Sequence, residues 1–427
     1  MDKLIVRGGR ALDGSVRISG AKNAVLPIMA AALLTDQPLT VRGVPALSDV
    51  RTLGAVLSEL GVEVGPVEDG TLRLESAGEI GHEAGWDFVR KMRGSVCVLG
   101  PLLARLGQAR VSLPGGCVFG VRPIDVHLKG FEALGARVRI DHGYIVAEAP
   151  SSGLRGSEVF LGTAFGSSVT GTMNVMMAAT LARGTTVIQG AACEPEVIDL
   201  GRCLQAMGAQ IDGLGSPRLE ISGVERLGGA EHTVLPDRIE AGTYLVAGAI
   251  TGGRVRVTGC RPGDLSSLVD RLKQAGFAIE RGDDWLEVQP KHFGFRPSPT
   301  DCTTQPFPGL PTDLQAQWMA LMCRATGVSL ITERIYPDRY MHLPELVRMG
   351  ARIRRQEALA VVEGTERLSG AHVTASDLRA SAALVLAALV ADGETQVHRV
   401  YHIDRGYERI EERLVALGAD IERAEDD

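Results

Sequence analysis

The sequence predicts an α/β (α+β) protein of two domains, each assembled from three repeats of about 70 residues. The first observation behind this is a short signature that recurs six times: an apolar helix end, a glycine and an apolar strand start. The glycines of the six copies are Gly61, Gly135, Gly208, Gly276, Gly350 and Gly418, spaced 74, 73, 68, 74 and 68 residues apart. The second is a helix of small residues, a polar turn and a β-branched strand, which keep step with the first signature. Its copies are Ala30–Gly43, Gly100–Gly115, Ala178–Gly190, Ala247–Gly259, Ala320–Glu333 and Ala383–Val400. The third is length. A chain of 427 residues has room for two or three domains, and six units divide evenly into two groups of three.

Each element has a local reason. Glycine adopts the left-handed conformation after a helix without a Cβ penalty, so each of the six should end its helix. The residues that follow alternate in polarity, as in Ala136–Ile140, which suits a half-buried strand. Asp301–Pro311 contains three prolines and reads as an ordered loop leading into a helix that Thr312 could cap. The acidic tail Glu422–Asp427 is expected to fray.

Composition narrows the function classes. Apolar residues make up 45% of the chain and aromatics only 4%, so aliphatic side chains must fill the core. The formal net charge of −7 argues against nucleic acid or anionic membrane as the main partner. No uncharged apolar run could span a bilayer, so membrane insertion is not expected. The seven cysteines include no Cys-x-x-Cys pair, and no basic, then apolar leader opens the chain. A cytoplasmic, reducing location is expected.

Four sets of residues could carry chemistry. Pro114–Pro123 holds Cys117 among three glycines, with Arg122 nearby. A thiol on such a loop, close to a cation, can become reactive, whereas the other six cysteines read as buried and inert. Ser19–Ala24 places Lys22 and Asn23 at the start of an apolar helix, where free amides favour anions, although taken by itself the segment reads first as an ordinary helix start. Arg93, Arg339, Arg379 and Arg405 stand in short polar motifs outside the apolar periodicity, and guanidinium forks bind phosphate and carboxylate. Neighbouring Asp338, Asp377 and Asp404 offer local pairing instead. Asp313 follows Pro311-Thr312, either as a dipole-favoured acid at a helix start or as a general base.

Taken together, these motifs resemble the enolpyruvyl transferases of the EPSP synthase-like family, in particular its UDP-sugar branch. The likeness runs essentially end to end. It is carried by Ser19–Ala24, Pro114–Cys117, Arg122–His127, Leu235–Thr243, Pro311–Gln317, Asp377–Ser381 and Tyr401–Glu408. The resemblance implies two inverse α/β barrel domains, one formed by residues 1–20 and 236–427 and the other by 21–235, with the Cys117 loop as a lid. It implies transfer of enolpyruvyl from phosphoenolpyruvate to the 3-hydroxyl of UDP-N-acetylglucosamine, through a tetrahedral phosphoketal. No metal or organic cofactor is implied, and a monomer or weak homo-oligomer is expected.

The resemblance also implies roles. Cys117 would protonate C3 and could bond covalently to phosphoenolpyruvate. Asp313 would be the base near the sugar hydroxyl. Lys22, Arg122, Arg339, Arg379 and Arg405 would hold phosphate and carboxylate. Asn23 and Arg93 would touch the UDP-sugar, and Ile335 would lie against it. Arg122, Pro123, Ile124, Asp125, Val126 and His127 would face uridine and diphosphate. Ser168, Val169 and Thr170 would lie near the diphosphate, and Arg238 and Asp377 would complete the substrate-binding set. One run departs from the family's usual Ser-Val-Gly-Ala-Thr-Glu-Asn: here Thr170 replaces a glycine, Gly171 follows it, and Met173 replaces an acid. Alternative readings are the same chemistry on another uridine nucleotide, or a silent paralogue that binds a sugar nucleotide.

Overall fold

The computed structural model describes residues 2–89, 92–113, 124–292 and 294–426, apart from the side chains of Phe88 and Arg93. The chain divides into two compact units, a contiguous one covering the described residues of 20–235 and a split one made of 2–19 and 236–426. Each has its own apolar core.

The six glycine junctions form as their sequence dictates. All six glycines have φ between 91° and 105°. At each, the next residue's N–H donates back to the carbonyl five residues earlier, from Val62 to Leu57 through Ala419 to Leu414, and the glycine N–H donates to the carbonyl three residues back. This doubly bonded stop satisfies carbonyls that a helix end otherwise leaves open. The strand after Gly135, Arg137–Asp141, is less buried than its alternation suggests, with Ile140 57% exposed. It lies at a sheet edge and so lacks cover on one side.

The small-residue segments become largely buried helices. In the contiguous unit these are α1 (Lys22–Ala31), α2 (Leu99–Leu106) and α3 (Val169–Ala179). In the split unit they are α4 (Arg238–Thr251), α5 (Gln315–Met322) and α6 (Leu378–Ala388). Helices apolar all round belong inside a protein, and here they form the centre of each unit with sheets outside them, an inverse α/β barrel.

Among the described residues, each unit carries three four-stranded sheets. In the contiguous unit the strand Leu39–Arg42 pairs in parallel with Ala230–Thr233 and antiparallel with Thr71–Glu75. Gln108–Ser112 pairs likewise with Glu83–Ala84 and Tyr144–Glu148, and Thr185–Gln189 with Glu158–Phe160 and Arg218–Ser222. The parallel strand always comes from the preceding repeat, and the last repeat supplies it to the first, so the three sheets close a ring. The split unit repeats the scheme, with Asp13–Arg17 parallel to Arg254–Thr258.

The acidic tail is not frayed. Asp420–Glu425 is a strand paired with Asp2–Arg7. Its acids meet cations, Asp420 and Glu422 bonding Arg7, so the charge that suggested fraying is neutralised across the ladder. Thr312 is not a helix cap either, because its hydroxyl is engaged by Glu333 and Arg339. No helix among the described residues is long and apolar enough to cross a membrane.

Candidate active site

Of the expected site residues, Lys22, Asn23, Ser168–Thr170, Arg238, Asp313 and Arg379 stand at or just before the N-terminal ends of the buried helices. In the contiguous unit Lys22 is the first residue of α1. It is buried, and its Nζ lies 2.6 Å from Asp49 Oδ2, a partner the sequence gave no reason to single out. Asn23 beside it is exposed. Arg93 opens the 3₁₀ turn leading into α2. Cys117, Arg122 and Pro123 lie outside the described residues.

Ile124 is buried, Asp125 begins the helix Asp125–Ala133, Val126 is partly buried, and His127 is buried on that helix. Ser168 caps α3, accepting the Gly171 N–H at 3.1 Å, with Val169 and Thr170 in the first turn. Asn174 Oδ1 accepts the Gly100 N–H, so its amide nitrogen donates to the Val96 carbonyl and to His127 Nδ1, each at 2.9 Å. That makes Nδ1 an acceptor and puts the imidazole proton on Nε2, which donates to Thr170 Oγ1 at 3.3 Å. A Cβ on Gly171 would come within 2.9 Å of Val126 Cγ1, so the glycine is needed where α3 meets the neighbouring helix, while Thr170 points its side chain at His127.

In the split unit the centre is Asp313. It lies in a 3₁₀ turn before α5, partly buried, and its two oxygens take different arginines. Arg339 Nη1 donates to Oδ1 at 2.7 Å, and Arg379 Nη2 to Oδ2 at 3.0 Å. Both guanidinium groups are buried. Burial alone would raise the carboxyl's pKa, but the charges of Arg379 and Arg339 outweigh it and hold Asp313 well below the usual carboxylate range. Burial pulls the two arginines down, and neighbouring groups, Asp313 foremost, more than restore them.

Behind Arg379 stands a polar hub that the sequence did not indicate. Tyr407 Oη accepts from Arg379 Nη1 at 3.1 Å and from Gln317 Nε2 at 3.3 Å, so its proton goes to Thr243 Oγ1 at 2.8 Å. Thr243, Gln317 and Arg379 come from α4, α5 and α6, so this hub ties the three helix ends together.

The aspartates next to the arginines have their own work. Asp338 bonds Arg355 and Asp404 bonds Arg423. Asp377 caps α6 through the Arg379 and Ala380 amides, as Asp237 caps α4 through those of Ile239 and Glu240. Arg238 is buried, with its guanidinium 5.6 Å from the Phe307 ring. Arg405 ends the 3₁₀ turn Val400–Arg405 and is partly exposed, as is Ile335. His342 lies near Arg339. Burial first, then the arginine, against the opposing pull of Asp377, lowers its pKa to about 4.

A carboxylate held between two cations suits a site that binds a small polyanion and accepts a proton from a neutral hydroxyl. Comparison with known proteins points the same way. A family model described as EPSP synthase (3-phosphoshikimate 1-carboxyvinyltransferase) matches residues 6–414. A protein of Rhodospirillum centenum named UDP-N-acetylglucosamine 1-carboxyvinyltransferase is 52% identical over 432 aligned residues, covering 99% of both chains. One of the same name from Dinoroseobacter shibae is 53% identical over 427 residues and all of both chains. Among solved structures, the enolpyruvyl transferase NikO from Streptomyces tendae is similar at a TM-score of 0.88 and 27% identity, covering 99% of this chain and 98% of that one.

Proposed function

The chain belongs to the EPSP synthase family of enolpyruvyl transferases, and from that premise we propose that it moves the enolpyruvyl group of phosphoenolpyruvate onto the 3-hydroxyl of UDP-N-acetylglucosamine, the first committed step of peptidoglycan synthesis. The observation that carries this reading is Asp313 held between Arg339 and Arg379, one base against two cations. The acceptor comes from the names of the full-length relatives.

The reaction balances as follows. The sugar oxygen bonds to C2 of phosphoenolpyruvate, its proton passes to Asp313, and C3 takes a proton from Cys117. The product is a tetrahedral phosphoketal. C3 then returns a proton to the Cys117 thiolate, the C2–O bond to phosphate breaks, and the departing phosphate takes the proton held by Asp313, leaving the enol ether and inorganic phosphate. Arg339, Arg379 and Arg405, with Lys22 and Arg122, hold the carboxylate and phosphate through both steps. Asp313 is a poor proton acceptor while both arginines are devoted to it. A phosphoenolpyruvate anion that draws their charge to itself raises the basicity of Asp313 when the hydroxyl is present.

Arg238, Asn23, Arg93 and Ile335, with Ile124–His127 and Ser168–Thr170, would bind the sugar nucleotide, Asp377 acting through its cap on α6. Unpaired thiols at all six described cysteines suit a reducing cytoplasm. We expect a monomer or weak homo-oligomer, which sedimentation would settle. The decisive assay is phosphate release, which should require both substrates together. Absence of release from folded protein would end this reading. Thr170 favours one variant of it, the same chemistry on a different uridine nucleotide, and a panel of acceptors separates the two by their kcat/KM.

A further inference from the structure

We infer that Glu333 is a positioning residue that sets how Arg339 meets Asp313, acting through the Thr312 hydroxyl; this rests on the reading of Asp313 and Arg339 given above. Glu333 follows the strand Val328–Thr332 and its residue is 0% exposed. An acid so placed is costly to keep unless its oxygens are satisfied. Its Oε1 accepts from Thr304 Oγ1 at 2.7 Å and from the backbone N–H groups of Ile335 and Tyr336 at 2.8 and 3.0 Å. Its Oε2 accepts from Thr312 Oγ1 at 2.9 Å.

The directions of these bonds are forced. An ionised carboxylate only accepts, so the single hydroxyl proton of Thr312 must point to Glu333. The lone pairs of Thr312 are thereby turned outward, and one of them accepts from Arg339 Nη1 at 3.0 Å. The same nitrogen donates to Asp313 Oδ1. Glu333 also holds the other end of this arrangement. The amides on its Oε1 begin the turn in which the Arg339 N–H donates to the Tyr336 carbonyl. One side chain thus fixes both the residue beside the base and the turn that carries the base's partner.

Glu333→Gln isolates the role. The amide oxygen can keep the three donors on the Oε1 side, leaving an NH₂ to face Thr312 where an acceptor is required. Thr312 then has donors on two sides, and its hold on Arg339 weakens. We expect kcat to fall ~10-fold and KM for phosphoenolpyruvate to rise ~3-fold or more, with KM for UDP-N-acetylglucosamine within about 2-fold of wild type. The acid limb of kcat/KM should move to higher pH, because a loosened Arg339 depresses the Asp313 carboxyl less.

Thr312→Val should reproduce these changes, Thr312→Ser should restore wild-type values, and the Glu333→Gln/Thr312→Val pair should be no worse than either alone. Additive losses, an unmoved acid limb, or wild-type kcat in Glu333→Gln would overturn the proposal. Phosphoenolpyruvate-induced stabilisation in thermal melts gives a second readout that needs no turnover. It should weaken in Glu333→Gln and in Thr312→Val but not in Thr312→Ser, and equal stabilisation in all four proteins would also overturn it. A wild-type protein that releases no phosphate would defeat the functional reading instead, while the melts still decide the role of Glu333.

Discussion

At the scale of single residues, Asp313 joins stability to chemistry. Asp313→Asn leaves two buried guanidinium groups without their shared counter-charge, so unfolding in urea should show a loss of roughly 3–5 kcal/mol. Activity should fall by at least ~100-fold, as expected for a lost general base. His342 gives a pH signature. It is neutral in the folded protein down to about pH 4, whereas an unfolded histidine takes a proton near pH 6.5, so the stability tied to its neutrality is lost as pH falls through that window. Between pH 7 and 5 the wild type should therefore lose about 2 kcal/mol relative to His342→Gln. The comparison with a variant matters because Glu240, pushed up to about 7 by burial, changes stability in the opposite direction over the same range. The stability conferred by the depressed Asp313 is fully present across this range and is lost only as pH falls below about 4. Cysteine reactivity separates equally well. Burial raises the thiols of Cys97, Cys203 and Cys323 to about 12 and Cys260 to about 11, and raises Cys193 and Cys302 as well. An epoxide phosphonate such as fosfomycin should add mass only to the peptide containing Cys117, and modification spread over several cysteines would contradict the role given to it.

At the scale of elements, the helix stops are local, which is why the sequence revealed them. A glycine after an apolar helix end needs only its own φ and the two amides around it. The six are nonetheless unequal in what a side chain would meet. A Cβ at Gly208, Gly350 or Gly418 finds open space, so alanine there should cost only the left-handed backbone, about 1 kcal/mol by denaturant titration. At Gly61 the Cβ would run into the Glu79 carbonyl, and the loss should be clearly larger. The site was half legible for the same reason. Arg339 and Arg379 stood out in short polar motifs outside the apolar periodicity, and Asp313 after Pro311-Thr312 at a helix start. Their partners Glu333, Tyr407, Thr243 and Gln317 were not singled out as site residues, because each gains its meaning only from a chain segment far away in sequence. The one available hint was an acid directly after a β-branched strand, Ile331-Thr332-Glu333. The exchange of a parallel strand from each repeat to the next was invisible as well, since pairing partners leave no mark on composition.

At the scale of the whole molecule, the contiguous unit closes its ring from residues 20–235 alone, and the split unit cannot do so without the first 19. A fragment spanning 20–235 should give a cooperative melt by itself. A fragment spanning 236–427 should do so only when a peptide of residues 1–19 is supplied, and independent folding of the second fragment would contradict this. The strand Asp2–Arg7 shows why. It lies between Glu394–His398 and Asp420–Glu425, and Asp13–Arg17 completes the sheet of Arg254–Thr258. On a ribosome this becomes a matter of time. The strand Asp2–Arg7 leaves the exit tunnel long before either of its neighbours, so it must wait, with both edges unsatisfied, until Glu394–His398 and Asp420–Glu425 have been made. The charges that bracket its three aliphatic residues, in Asp2-Lys3-Leu4-Ile5-Val6-Arg7, are then a safeguard for a nascent chain as much as a pattern for a finished sheet.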